Sequence, residues 1–490
     1  MKLKSLVPVA IASILSCLGC GSGSGSSTTP PPPTPTPTPT GQISIVSSFA
    51  GDTRACTTTG PGCGNHPDPA IGVGPTYVAL YNRQGLTVYN KVGSLYQSTV
   101  SGPAFWAAAG IPGILQPNIT DPRATYDIFT HRYLVVQSIL SQTNCGDLLA
   151  VSAADDPTQW KAINVSGHCG DIVMTVGYDN NGVYTCEQDL ASNPVGSICA
   201  AIPAADTKWS GTGNIVTSHL VVVITSAGSV GDGRYGPAIN INPSTGFSDP
   251  MVLISRPGVQ DYPSGTPLVL NYRKWTWTDA NTPVLSAATS INTGYTYYMN
   301  SLEGPPFSMT AQPNSPSVPY LNGWEGARNS QPVVDLAGNI WLTMGSDIGS
   351  ENGNLGFYWF KIPVSTMTIA ASGVVYDSVG SSGITYGTAA IDANGNAYFF
   401  YHQGSEAEYW SHYVRVVPAG SSTMSAATLL KAGGPNAILS SSSQPVVSNG
   451  TYGAQAIDPS DQTKVWFYGQ YANNPAPDVW VTWVSEVTFQ

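Results

Sequence analysis

The stretch ITYGTAAIDANGNAYFFYH, residues 384–402, decides the fold. It reads as a small-residue approach, an Asp, a tight Asn/Gly turn and an aromatic-rich apolar run. The same phrase occurs as GARNSQPVVDLAGNIWLTM at 326–344 and as GTYGAQAIDPSDQTKVWFYGQY at 450–471, and the copies at 384–402 and 450–471 share TYGxxAID. The copies are 57 residues apart from Asp335 to Asp392 and 66 apart from Asp392 to Asp458. A supersecondary unit that repeats at this interval with strand-like contents predicts a β-propeller.

Working outward, blade-like segments can be placed upstream at 68–96, 121–140, 171–188, 219–254 and 267–289, each with strand runs around a turn. The expected architecture is all-β, a single propeller over 42–490 with seven blades as the best count and six or eight open. The first strand, QISIVSSF, is expected to pair with the last, VWVTWVSEVTF, which closes the ring and removes its open edge. Composition agrees. The chain has 52 Gly and 39 Pro and is only 10% charged, so long charged helices have little material, and continuous helical patterns are hard to find. A net charge of −11 with 18 Lys and Arg provides no basic stripe for nucleic acid or for an anionic membrane surface.

Residues 1–20 read as a targeting segment, with Lys2 and Lys4 ahead of the apolar run LVPVAIASIL and small residues before a Cys. The run is too short to span a bilayer. It resembles a bacterial lipobox, which implies lipidation of Cys20, with Cys17 the competing site and an ordinary cleaved signal peptide the plain alternative. By the same resemblance, Ser22 after Cys20 implies sorting to the outer membrane. Residues 21–41, GSGSGSSTTPPPPTPTPTPTG, then form a flexible Gly/Ser piece and a stiffer polyproline-type spacer.

Six Cys remain in the body: Cys56, Cys63, Cys145, Cys169, Cys186 and Cys199. Export to an oxidising compartment points to disulfides. Proximity favours Cys56 with Cys63, Cys145 with Cys169, and Cys186 with Cys199. The competing reading, a zinc site using Cys63 with His66 or Cys169 with His168, lacks a CxxC motif. No metal or other cofactor is expected, and structural calcium has no motif to support it.

The turns DLAGNIW (335–341) and DANGNAY (392–398) look like those of NHL-type and streptogramin-lyase-like propellers. More of the chain resembles a group of exported bacterial proteins labelled sialidase-like. The matching stretches are HPDPAIGVGPTYV (66–78), LTVYNKVG (86–93), DPRATYDIFTHRY (121–133), DDPTQW (155–160) and RNSQPVVDLAGN (328–339). That resemblance implies a fold and no reaction. The sialidase Asp-box, SxDxGxTW, is absent, so no sialidase catalytic residue carries over.

An Asp ahead of a hairpin turn accepts backbone N–H bonds, so Asp335, Asp392 and Asp458 are read as structural, and Trp341, Tyr398 and Trp466 as core. Loops that break the repeat are the functional candidates. NGWEGARNSQ (322–331) offers Trp324, Glu325 and Arg328; YHQGSEAEYWSHYVR (401–415) offers His402, Glu406, Glu408, Trp410 and His412; YDIFTHRY (126–133) offers Asp127, His131 and Arg132. Glu325, Arg328, His402 and Glu406 are the catalytic candidates, since glycoside hydrolysis needs two carboxyl groups and a uronate lyase needs a base and a cation. Trp324, Trp410, His412 and Arg132 are the candidates for ligand contact. GxSxG and HExxH are both absent, which removes the corresponding serine and zinc chemistries. Two readings follow. The preferred one is a lipid-anchored, extracytoplasmic, monomeric propeller that binds an extracellular polymer, carbohydrate in class, through loops on one face. The other is a glycoside hydrolase or polysaccharide lyase with its site in the central funnel.

Overall fold

In the computed structural model, the strand order follows from where Gly, Pro, Asn and Asp interrupt the β-branched and aromatic runs. The structure describes residues 41–55, 67–115, 119–139, 146–166, 172–189, 196–225, 235–243, 246–247, 249–255, 265–298, 313, 330–349, 354–377, 383–434, 453–473 and 479–490. All of them belong to one compact unit, Pro39–Gln490.

After β1 (Ile43–Ala55) the strands run as antiparallel meanders, innermost strand first. β2 (Ala70–Val73), β3 (Tyr77–Asn82), β4 (Gly85–Asn90) and β5 (Leu95–Ser101) form one sheet. Helix α1 (Gly102–Ala108) follows, with Pro in its first turn, where a missing N–H costs nothing. This short helix was not expected from the sequence. It forms because Phe105 and Trp106 find a buried place against Tyr81, Trp160 and Gln137. β6 (Ile119–Asp127), β7 (Arg132–Ile139), β8 (Gly146–Ala153) and β9 (Asp156–Asn164) make the second sheet.

β10 (Ile172–Tyr178), β11 (Gly182–Asp189), β12 (Gly196–Pro203) and β13 (Val221–Thr225) make the next run. β14 (Tyr235–Pro237) and β15 (Ile239–Asn240) form one broken inner strand, followed by β16 (Met251–Ser255), β17 (Thr266–Trp277), β18 (Pro283–Leu285) and β19 (Thr289–Tyr297), the last two both paired to β17. Then come β20 (Val333–Val334), β21 (Asn339–Ile348), β22 (Asn354–Pro363) and β23 (Ala371–Tyr376), and after them β24 (Gly383–Ile391), β25 (Ala397–Ser405), β26 (Glu408–Val417) and β27 (Thr428–Lys431). β28 (Ala454–Ile457), β29 (Lys464–Tyr471) and β30 (Val479–Phe489) are completed by β1.

The arrangement is a β-propeller. The inner strands β2, β6, β10, β15, β20, β24 and β28 follow one another round a closed ring, β28 returning to β2. Hydrogen bonding joins the strands into six sheets among the described residues rather than seven. The largest has nine strands, because β15 bridges the β10–β13 and β20–β23 runs by parallel pairs from Tyr178 to Ile239 and from Ile239 to Val333. The expected closure is present. β1 pairs antiparallel with β30 from Ile43 opposite Phe489 to Ala55 opposite Val479, and Gln42 and Gln490 exchange backbone bonds of 2.7 and 3.0 Å.

Successive blades pack through aromatic faces. Phe400 of β25 stacks on Phe467 of β29 with centroids 4.9 Å apart, and Trp341 and Trp359 stack on the blade that bears Phe399. Such pairs add about 0.5–1.5 kcal/mol each beyond the area they bury.

Candidate functional site

The propeller has two unlike ends. At one, inner strands hand over to their neighbours in tight turns at 74–76, 128–131, 179–181, 335–338, 392–396 and 458–463. At the other end the outer strand of one blade stops and the inner strand of the next begins, with 56–69, 102–118, 226–234, 298–332 and 432–453 the stretches of sequence between them. These are called the turn end and the loop end below.

The turn end is built by buried carboxylates. Asp335 Oδ1 accepts the backbone N–H of Ala337 and Asn339 at 2.9 and 2.8 Å, while Oδ2 accepts Trp341 Nε1–H at 2.9 Å. Asp392 accepts the Asn396 N–H and the Tyr398 hydroxyl, and Asp458 accepts the Ser460 N–H and Trp466 Nε1–H. Gly338 and Gly395 close the first two turns at φ 76° and 83°, values that suit glycine. The structural role expected of these three Asp is therefore observed, as is the burial of Trp341, Tyr398 and Trp466. Asp127 and Asp179 cap their turns in the same way, on Phe129 and Thr130 and on Asn181 and Gly182. Sequence reading missed two parts of this pattern. It placed Asp127, which is buried in its turn, among the functional candidates and left Asp179 out of the set, and it did not see that the aromatic residue which follows is the second hydrogen-bond donor. Burial pushes the Asp179 carboxyl up to about 7 against the pull of those bonds, and it raises Asp127 and Asp392 as well.

At the loop end, the candidates that fall in described residues separate. Trp324, Glu325 and Arg328 lie outside the described residues. Glu406 sits exposed on the two-residue turn between β25 and β26, and Glu408 accepts the Tyr413 hydroxyl. His402 and His412 face each other across β25 and β26 with ring centroids 4.7 Å apart, 1% and 0% exposed, and Trp410 lies 5.4 Å from His402. His412 Nε2–H donates to the Gln470 carbonyl of the neighbouring blade at 2.6 Å. Burial drives His402 well below the usual imidazole range and lowers His412 to about 4, so both rings are neutral at pH 7. These three side chains are interblade packing, and a ligand reaches them only if the sheets part. Arg132 is likewise buried. Its guanidinium donates to the Ser152 and Trp209 carbonyls at 2.6 and 2.8 Å and lies over the Trp209 ring. His131 is exposed at the turn end beside Asp155.

One polar group near the loop end escaped the sequence reading. Ser166 Oγ lies 2.8 Å from Asp147 Oδ2 and 3.3 Å from Glu187 Oε1, so buried carboxylates of two adjacent blades share one hydroxyl. The three residues come from β8, the end of β9 and β11. No local motif marks them, because only strand register brings them together.

The central axis is apolar. Val73, Tyr178, Ile239, Val333, Ile391 and Ala456 line a cavity of about 20 Å³ there. That is room for water, far below the roughly 300–1,000 Å³ of a small-molecule site. Among the described residues no group of three His, Cys, Asp or Glu is placed to hold a metal ion, and no helix is long and apolar enough to cross a membrane. Cys186 and Cys199, directly opposite each other on β11 and β12, form the expected disulfide. Cys56, Cys63, Cys145 and Cys169, with His66 and His168, lie outside the described residues.

No family model matches the chain, and no curated protein matches it. Solved structures give remote likenesses. An α-L-arabinanase of Penicillium chrysogenum complexed with arabinobiose aligns over 76% of this chain and 94% of its own, at 12% identity and a TM-score of 0.39. An α-L-arabinofuranosidase from Fusarium graminearum aligns over 77% and 94%, at 10% identity and 0.39. A polysaccharide lyase described as an ulvan lyase aligns over 85% and 94%, at 11% identity and 0.38. Likenesses this distant carry no argument about chemistry.

Proposed function

We propose that this protein is a lipid-anchored, extracytoplasmic, monomeric propeller that binds an extracellular polymer of carbohydrate class through its loop end. The observation that carries the reading is the contrast between the inner-strand turns at 335–338, 392–396 and 458–463, which are short and carboxylate-capped, and the long stretches 298–332 and 432–453 that separate the outer strand of one blade from the inner strand of the next. Long connections on a rigid sheet scaffold are where binding is built. Those segments are rich in Ser, Asn, Gly, Pro and Tyr and poor in charge, which suits a hydroxyl-rich ligand better than a polyanion. Within this reading Trp324, Glu325, Arg328 and Glu406 are the contacts at the loop end. A disulfide between Cys186 and Cys199 agrees with an oxidising compartment. Separating the two runs joined by β15 supports a count of seven blades.

The second reading, a hydrolase or lyase, would need Glu325, Arg328 and Glu406 to converge at the loop end, since the cavity that the described inner strands line holds about 20 Å³ and His402 is enclosed. Incubating the chain with a polysaccharide panel separates the two. Retention of a polymer without new reducing or unsaturated ends supports binding alone; new ends support the enzyme; no retention of any polymer rejects both.

A further inference from the structure

The turn end carries an apolar patch beside the place where the chain joins the propeller. A bulge in the pairing of β1 with β30 at Ile45 and Ser47 leaves both Ile45 and Val46 44% exposed. Next to them is the turn between β4 and β5. Ser47 Oγ–H donates to the Lys91 carbonyl at 3.3 Å, and Gly93 lies so close to the Phe49 ring that a Cβ there would come within 2.6 Å of it. The same turn presents Val92, 79% exposed, and leads into Leu95 and Tyr96, 58% and 55% exposed. Tyr96 in turn stacks on Tyr77 with centroids 4.2 Å apart. The spot has no excess cation: Asp461, Glu486 and Lys464 surround Asp458, and Asp156 acts on Tyr77. Lys91 Nζ sits 2.7 Å from Asp458 Oδ1 and 3.2 Å from Ser460 Oγ, which in turn donates to the Pro75 carbonyl. Folding leaves these aliphatic and aromatic side chains exposed on two neighbouring segments of the turn end, and exposed apolar side chains gathered in this way mark contact with something apolar.

We infer that this patch seats the propeller on the neutral lipid surface of the membrane that holds its N-terminus, turn end down and loop end outward. The inference rests on the lipid-anchor part of the reading above. Two features favour a bilayer over a second copy of the chain. Gln42 and Ile43, where the preceding 41 residues arrive, lie at the turn end on the strand that bears Ile45 and Val46, so a lipid at Cys20 tethers this corner of the molecule first. Tethering also raises the local concentration to the millimolar range, so a patch too weak to hold a free protein on a bilayer can hold a tethered one. Tyr96 and Tyr77 among aliphatic neighbours are the side chains that favour the headgroup level. With Lys91 neutralised by Asp458, zwitterionic lipid suffices.

The test uses the full-length lipid-bearing chain reconstituted on phosphatidylcholine vesicles, with an environment-sensitive fluorophore on Val92→Cys or on Ala407→Cys at the loop end, in a background whose own cysteines take up no label. The expected result is a several-fold rise and blue shift of the Val92 probe on vesicles, no change at Ala407, and loss of the Val92 response in Leu95→Asp with Tyr96→Ser, whose melting temperature stays at that of the parent. A chain that co-floats with vesicles while its Val92 probe stays unchanged overturns the patch and leaves the anchor standing. Equal responses at both positions, or a Val92 response that appears without vesicles as protein concentration rises, also overturn it. A chain that fails to co-float overturns anchor and patch together. Polysaccharide retention, measured separately, moves with none of these.

Discussion

Asp335 holds its turn by five bonds at once, accepting two from backbone N–H groups, two from the Asn339 side-chain amide and one from the Trp341 indole. Removing it strands a buried indole donor and two amides, each worth about 1–3 kcal/mol when left unpaired in the interior. Asp335→Ala is therefore expected to lower unfolding free energy by a few kcal/mol in chemical denaturation, and Asp335→Asn by less. The pH behaviour of the buried acids and bases runs in opposite senses. Asp179 binds its proton up to about pH 7 in the folded state and releases it near 4 when unfolded. The stability it contributes is present at low pH and is lost as pH rises through that window. His402 and His412 have depressed folded values, so their contribution is present above about 6.5, the ordinary imidazole value, and is lost as pH falls towards 4. Denaturation midpoints of Asp179→Asn should accordingly gain on the parent between pH 4 and 7, by up to about 1.4 kcal/mol per pH unit. His412→Gln, which keeps a donor for Gln470, should lose less than the parent between pH 6.5 and 4. The Asp turns were legible in the sequence because each Asp serves its own hairpin. The burial of His402, Trp410 and His412 was not legible. They stand on alternating, aromatic-rich strands, and only the blade that packs beside them decides whether such a face is open or closed.

At the scale of the strands, the two Cys of β11 and β12 are register partners, and residue proximity found them because a hairpin puts near neighbours opposite each other. Cys186→Ser with Cys199→Ser is expected to cost about 2–5 kcal/mol, read from the denaturant midpoint, without change in the far-ultraviolet strand signal. The Asp147, Ser166 and Glu187 contact had no comparable signal, since it joins strands of two different blades. Helix α1 was invisible for another reason: seven residues with a leading Pro give too little periodicity, and its stability comes from the burial of Phe105 and Trp106.

For the whole molecule, the repeated phrase announced a propeller, but the hydrogen bonding of β15 to both of its neighbours, which makes two runs into one nine-stranded sheet, depends on a two-residue strand that no pattern flags. On the proposed reading, function at this scale is a property of one end. Replacing residues 300–328 with a short Gly/Ser segment is expected to reduce polymer retention at least tenfold, equivalent to about 1.4 kcal/mol, while the melting temperature holds. Unchanged retention would move the site away from that connection.

The closing sheet also sets a schedule for synthesis. Among the described residues β1 pairs with β30 alone, the strand farthest from it in sequence. Among the described strands β1 therefore has no edge to join until β30 has been made, and a fragment that lacks β30 cannot complete the ring. The ring of described strands stays open until its last strand is made, although the sheets between can form earlier.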